Sequence, residues 1–334
     1  MSTLFRRPFL SFSLFALGVL TACVSLPNIQ LAEIDLTEAT RQNTLTLLQE
    51  LSSDDMAGRG VGTAGHTAAR KRLLAEIEQL GLQPRPGATS YQQPFVFGDF
   101  AQRGSPKPTR PGKQGINLIG VLPGALGTDS PILAITAHYD HLGVREGQIY
   151  NGADDNASGV AGMLAIAAYF KQNPPQHSIW FIAFDAEESG FIGARHFMRT
   201  LDAEAQSRLA LNLNLDMISR GDNGILWASG AAHWPKLKPL IRAVAKHAPV
   251  TLKQGFDTGE GFDNWTELSD HVVFYQAGIP HVYLGVEDHP DYHKPSDDFE
   301  LIDTAWFLDS VRTALMIAVV LESHLTEIAP LQSQ

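Results

Sequence analysis

Short apolar runs alternate with longer amphipathic stretches along most of this chain. Residues 117–122, 132–137, 179–184 and 209–215 are rich in branched and aromatic side chains, with few polar interruptions. Runs of that length and composition predict strands covered on both faces. Between them, 157–171 and 190–201 place apolar residues at helical spacing. Upstream, 37–51 and 66–80 do the same, the second stopped by Gly81 as a C-cap. Residues 234–247, 269–277 and 304–324 predict further helices, with a strand near 281–284. The Pro- and Gly-rich stretch 92–115 reads as a loop with an edge strand at 95–97. Strand alternating with helix predicts an α/β sandwich with helices on both faces of a central sheet.

Composition narrows the chemistry more than the fold. With 334 residues, 44% hydrophobic and 18% charged, the chain is an ordinary globular protein with ample material for a core. No internal repeat appears, so 36–330 reads as one domain. The formal charge of −11 argues against a nucleic-acid partner. The sequence contains one cysteine, which excludes an internal disulfide, a thiolate zinc site and a redox pair. Any metal must therefore be held by histidines and carboxylates.

That cysteine has its own place in the pattern. Arg6 and Arg7 precede an apolar stretch over 9–20, too short to span a membrane as a helix, and Leu20-Thr21-Ala22-Cys23 follows. The ending resembles the lipobox of bacterial lipoproteins. The resemblance implies a signal peptide over 1–22, lipidation at Cys23 and a tether over 23–35. Two or three acyl chains at ~0.8 kcal/mol per buried CH₂ give stable anchoring. Val24 after the cysteine implies the outer membrane, with the protein facing the periplasm.

Five polar segments stand at or near the ends of predicted strands, the edge at which open α/β sheets bind ligands. In Ala137-His138-Tyr139-Asp140-His141, His138 and Asp140 lie on one side of an extended segment, and Asp140 offers an oxygen to the second ring nitrogen. Asp154-Asp155 precede a helix, where they either cap it or present one carboxylate to two cations. Glu187-Glu188 leave a buried strand, so that one can ligate while the other serves as a base. Asp216 ends the run 209–215, either as a ligand or as a strand terminus. The segment Asp291-Tyr292-His293-Lys294-Pro295-Ser296-Asp297 precedes the last helix, where Ser296 or Asp297 alone would read as an N-cap.

Taken together, in this order and spacing, the five resemble the co-catalytic zinc aminopeptidases of metallopeptidase family twenty-eight. The resemblance covers about residues 54–307 and includes the softer matches Met56-Ala57-Gly58-Arg59, Asn117-Leu118-Ile119-Gly120 and Ser269-Asp270-His271. It implies a three-layer α/β/α sandwich with a mixed, mostly parallel sheet. It also implies two zinc ions per chain, with His138 and Asp216 on one, Glu188 and His293 on the other, and Asp155 bridging. Glu187 matches the general base, Asp140 the residue behind His138, and Tyr292 the hydroxyl that stabilises the tetrahedral intermediate. Three carboxylates and a hydroxide would neutralise two divalent ions, as a partly buried site requires.

The implied activity is hydrolysis of the N-terminal bond of peptides with a free N-terminus. The loop 257–263 is a candidate for holding the substrate ammonium, and Phe256, Phe262 and Trp265 are candidates for the side-chain pocket. The alternatives are a single-zinc glutaminyl-peptide cyclotransferase of the same fold, a carboxypeptidase relative, or a catalytically inactive binding module.

Overall fold

The computed structural model describes residues 29–98, 112–127, 129–259 and 264–328. Cys23 and the signal-peptide expectation lie outside these residues, as do Phe262 and much of the 92–115 loop.

The described chain begins with α1 (Glu38–Leu51) and α2 (Ala64–Gln79), capped by the side chains of Thr37 and Thr63. Strands β1 (Gln92–Phe97), β2 (Lys113–Leu122) and β3 (Ile132–His138) follow, then a small hairpin of β4 (Gly143–Arg145) and β5 (Gln148–Tyr150). Next come α3 (Gly159–Gln172), β6 (Ser178–Phe184), α4 (Ile192–Thr200), α5 (Ala203–Arg208) and β7 (Leu209–Leu215). The rest comprises β8 (Ile225–Ser229), α6 (Leu237–Ala245), β9 (Thr251–Gln254), α7 (Val272–Gln276), β10 (His281–Gly285), α8 (Thr304–Ser323) and α9 (Leu325–Ile328).

Eight strands form one sheet in the order β1-β2-β6-β3-β7-β10-β8-β9. Its centre, β6-β3-β7-β10, is parallel throughout, while antiparallel pairs bring in β2 and β1 on one flank and β8 on the other. The expected mixed, mostly parallel sheet in a three-layer sandwich is the observed one.

Alternation along each strand explains the unbroken apolar runs. Leu133, Ile135 and Ala137 of β3 face a core shared with α1, α2, α3, α6 and α8. Ile132 and Ala134 of the same strand face the opposite core, with Phe197 of α4 and Phe274 of α7. Both faces are covered, so neither parity needs polar residues. Helix α8 is long and apolar enough to cross a membrane by length and composition, but most of it is buried, against α3 and α6.

Three departures from the sequence expectation have simple causes. Strand β2 starts at Lys113, inside the stretch read as a loop, because its first residues are exposed and carry no apolar signal. Strands β8 and β9 and the β4–β5 hairpin are short and partly exposed, too short for a pattern to emerge. From Leu31 onward the stretch read as a tether lies on the domain. Leu31 and Ile34 are buried, and Arg312 of α8 donates to the carbonyls of Ala32 and Ile34.

Candidate metal centre

The four parallel strands at the sheet centre end at one edge, and each delivers polar residues there. His138 is the last residue of β3. Its Nε2 lies 3.3 Å from Asp155 Oδ1 and 3.2 Å from Asp216 Oδ1. Its Nδ1 meets the main-chain oxygen of Asp140 at 3.1 Å, while the Asp140 carboxylate is 3.9 Å away. Asp140 thus orients the ring through its carbonyl, and its carboxylate accepts instead from the Glu187 N–H at 3.0 Å.

Glu187 and Glu188 follow β6 through a turn in which Ala186 is left-handed, with φ 59°. The buried Asp185 carboxylate fastens that turn by accepting from the N–H groups of Ile116 and Ala186 and from the Tyr139 hydroxyl. Asp216 leaves β7 directly and accepts from Ser269 Oγ at 2.6 Å. His293, itself left-handed at φ 54°, reaches in from the loop after β10. Its Nε2 is 3.1 Å from Asp155 Oδ2 and 3.5 Å from Glu188 Oε1.

Asp155 sits between the two groups of residues. The N–H groups of Asp154 and Asp155 both donate to the buried Asp297 carboxylate, which fixes the segment. Asp154 Oδ1 is occupied by the Ser219 N–H and hydroxyl, so only Asp155 faces His138 and His293. Tyr292 stacks on His293 with ring centroids 4.0 Å apart and lines the same cleft as Glu187.

The electrostatics are those of a site built for cations. Burial opposes a charge on His138, yet Asp216, Glu187 and Asp155 push its pKa well above the usual range. Burial likewise opposes ionisation of Asp155, but His141, His138 and His293 hold it well below the ordinary carboxylate range. His293 is pushed up to about 10 by Asp155 and Glu188, against its burial. Imidazoles drawn toward the protonated form among crowded carboxylates mark an excess of negative charge that divalent ions would neutralise. The donor types, imidazole and carboxylate, are those zinc takes in the absence of thiolate. Buried Asp140 Oδ2, Glu188 Oε1 and His141 Nδ1 have no hydrogen-bond partner among the described residues. The residues therefore fit bound metal.

Two side chains of the centre went unassigned in the sequence. His141 is buried with Nδ1 2.8 Å from Glu188 Oε1, and only its place in the His138 segment pointed to it. Arg59, fully buried, donates to the main-chain oxygens of Leu51, Tyr139, Asn151 and Gly152, and so ties the donor segments together. Its softer motif match was the only sequence signal.

The aromatic and acidic stretch is divided. Trp265 lines the cleft and stacks on Phe256 at 4.1 Å. Asp257 Oδ2 accepts from the N–H groups of Gly230 and Ala232.

Comparison with known proteins gives a concordant picture. The family model described as Peptidase family M28 matches residues 117–318. Aminopeptidase YwaD of Bacillus subtilis is 31% identical over 199 residues, 56% of this chain and 40% of that protein. The probable lipoprotein aminopeptidase LpqL of Mycobacterium tuberculosis is 28% identical over 209 residues, 53% of this chain and again 40% of the relative. The chain thus aligns with well under two thirds of either curated relative. Among solved structures, BSAP, a zinc aminopeptidase from Bacillus subtilis, superposes with TM-score 0.69 at 19% identity, covering 90% of this chain and 100% of that one. A glutaminyl cyclase of Bacteroides thetaiotaomicron shares the fold with TM-score 0.65 at 20% identity, over 86% of this chain and 99% of its own.

Proposed function

Because the chain belongs to peptidase family M28, we propose that it is an aminopeptidase working with two zinc ions and exported to the cell envelope on a lipidated Cys23. His138 and Asp216 would hold one ion and Glu188 and His293 the other, with Asp155 shared between them. The observation that carries this reading is the position of Asp155, within 3.3 Å of His138 on one side and 3.1 Å of His293 on the other.

When bound, the zinc pair polarises the scissile carbonyl and lowers the pKa of the attacking water. The protein's own part falls to residues around that centre. Glu187 accepts the proton of the water and returns it to the leaving amine, a contribution typically worth ~10²–10⁴-fold. Its burial, reinforced by Asp270, Asp216 and Glu188 against the opposing His138, raises its pKa well above that of an ordinary glutamate. Burial beside Asp155 and Asp216 raises the Tyr292 phenol, keeping it protonated to donate a hydrogen bond to the developing oxyanion. Met217, Trp265, Leu268 and Val286 form an apolar wall that suits an apolar N-terminal side chain.

A panel of aminoacyl-p-nitroanilides tests the activity, with and without chelator and added zinc. Chelator-sensitive hydrolysis, favouring Leu or Phe over Asp or Lys, is expected. Glu187→Gln should keep both metals and lose turnover by at least ~10²-fold. Cyclisation of N-terminal glutamine with one zinc per chain would replace this reading with that of a glutaminyl cyclase.

The anchor rests on Leu20-Thr21-Ala22-Cys23 and is consistent with the lipoprotein named among the relatives. Outer-membrane residence rests on Val24 alone. Cys23→Ser should move the protein from the membrane to the soluble fraction of cells, and unchanged fractionation would exclude lipidation.

A further inference from the structure

Resting on the two-metal reading above, we propose that His141 is a third imidazole ligand of the centre, binding through Nδ1 the same ion as Glu188 and His293. Four donor atoms from four chain segments converge there. His141 Nδ1 lies 2.8 Å from Glu188 Oε1 and 3.6 Å from Asp155 Oδ2. His293 Nε2 lies 3.5 Å and 3.1 Å from the same two oxygens. Ligands sharing a four-coordinate zinc at about 2.0–2.1 Å stand about 3.3 Å from one another, and the four nitrogen-to-oxygen distances here lie on either side of that value.

Hydrogen bonding does not account for the position of the ring. The His141 side chain is 0% exposed and its Nδ1 stands in ion-pair contact with Glu188 Oε1, yet among the described residues Nδ1, Nε2 and Glu188 Oε1 make no aligned hydrogen bond. A buried neutral imidazole held so close to two carboxylates without an aligned hydrogen bond to either can turn its Nδ1 lone pair to a cation between them. The local backbone is shaped around the ring. Gly152 is left-handed at φ 59°, and a Cβ there would stand 2.5 Å from the His141 ring and 2.1 Å from the Asp155 carbonyl. The segment carrying Asp155 can approach His141 only because that position is glycine.

The competing role is a positioning one, in which His141 merely donates a hydrogen bond to Glu188. Two measurements separate the roles. In wild-type protein labelled with ¹⁵N-histidine and loaded with ¹¹³Cd, three imidazoles should show scalar coupling to cadmium, two of them to one ion and His141 through Nδ1. Two coupled imidazoles, one on each ion, would overturn the inference and leave the two-metal reading intact. Fewer than two cadmium ions per chain would overturn both.

The second measurement is zinc affinity by competition with a chromogenic chelator in His141→Ala and His141→Asn. Asparagine keeps an N–H donor near the Nδ1 position but is not a zinc ligand. Loss of a residue that only supports a ligand typically weakens metal binding about 10–100-fold. Loss of a ligand should exceed ~100-fold for the weaker site in both variants. Wild-type affinity in His141→Asn would assign the residue a hydrogen-bonding role instead.

Discussion

Asp270 is fully buried next to Ser269, and neither of its carboxylate oxygens has a hydrogen-bond partner among the described residues. Burial raises its pKa to about 7, with Asp216 and Asp185 adding to the effect and His138 opposing it. A carboxyl raised in the fold contributes stability that is fully present below its unfolded pKa near 3.8 and lost as pH rises through about 7. A rise from 3.8 to about 7 corresponds to a loss of up to ~4 kcal/mol between pH 4 and pH 8. Asp270→Asn removes the ionisation, so the metal-free variant should gain on the metal-free wild type by up to that amount between those pH values. Urea unfolding after chelation measures the difference, and a gap that does not widen with pH would refute the assignment. At this scale the sequence was most legible where residues come in short spaced clusters. His138, Asp155, Glu187, Glu188, Asp216, Tyr292 and His293 all stand at one cleft. His138 Nδ1 lies nearer the Asp140 carbonyl than the Asp140 carboxylate, because a spacing of two suits either oxygen. His141 was missed because a histidine next to a recognised motif carries no pattern of its own.

Loops as well as strand ends decide where the donor atoms stand, and Arg59 braces two of those segments against the end of α1. Its guanidinium links the end of α1 at Leu51, the segment after β3 at Tyr139, and the turn at Asn151 and Gly152. Burial lowers its pKa to about 10, but Asp155, Asp297, Asp140 and Glu188 counter the effect, so it stays charged at neutral pH. Arg59→Met keeps much of the volume and leaves several buried carbonyls unpaired at ~1–3 kcal/mol each. The variant should lose at least ~3 kcal/mol in urea unfolding and bind zinc more weakly. Unchanged stability would show that water replaces the guanidinium. Such a residue is nearly invisible in a sequence, because its partners are main-chain oxygens about 80 to 93 positions away, apart from Leu51. The central strands and long helices were legible for the opposite reason: their side chains alone carry the signal. Strands β8 and β9 lie at the sheet flank, where partial exposure breaks the apolar run.

Across the whole molecule, the proposed donors come from the ends of β3, β6 and β7 and from the loops that carry Asp155 and His293. Those segments span residues 138 to 293 and meet only when the sheet order β6-β3-β7-β10 is complete. The unfolded chain holds no such arrangement, so metal binding should be linked to folding of the entire sandwich rather than to one loop. A ligand at about a hundred times its Kd stabilises by ~2.7 kcal/mol, so two ions at that saturation contribute ~5 kcal/mol. For a domain of this size each kcal/mol moves Tm by about 2 °C, which puts the expected fall on chelation near 10 °C. Scanning calorimetry of Glu187→Gln, with and without chelator, isolates the effect from self-digestion, because Glu187 is outside the proposed ligand set. One cooperative transition that moves as a whole would show that the centre and the sandwich form a single unit. A chelator-sensitive shoulder beside an unmoved main transition would show instead that the loops melt alone, and the metals would then order the cleft without bracing the sheet.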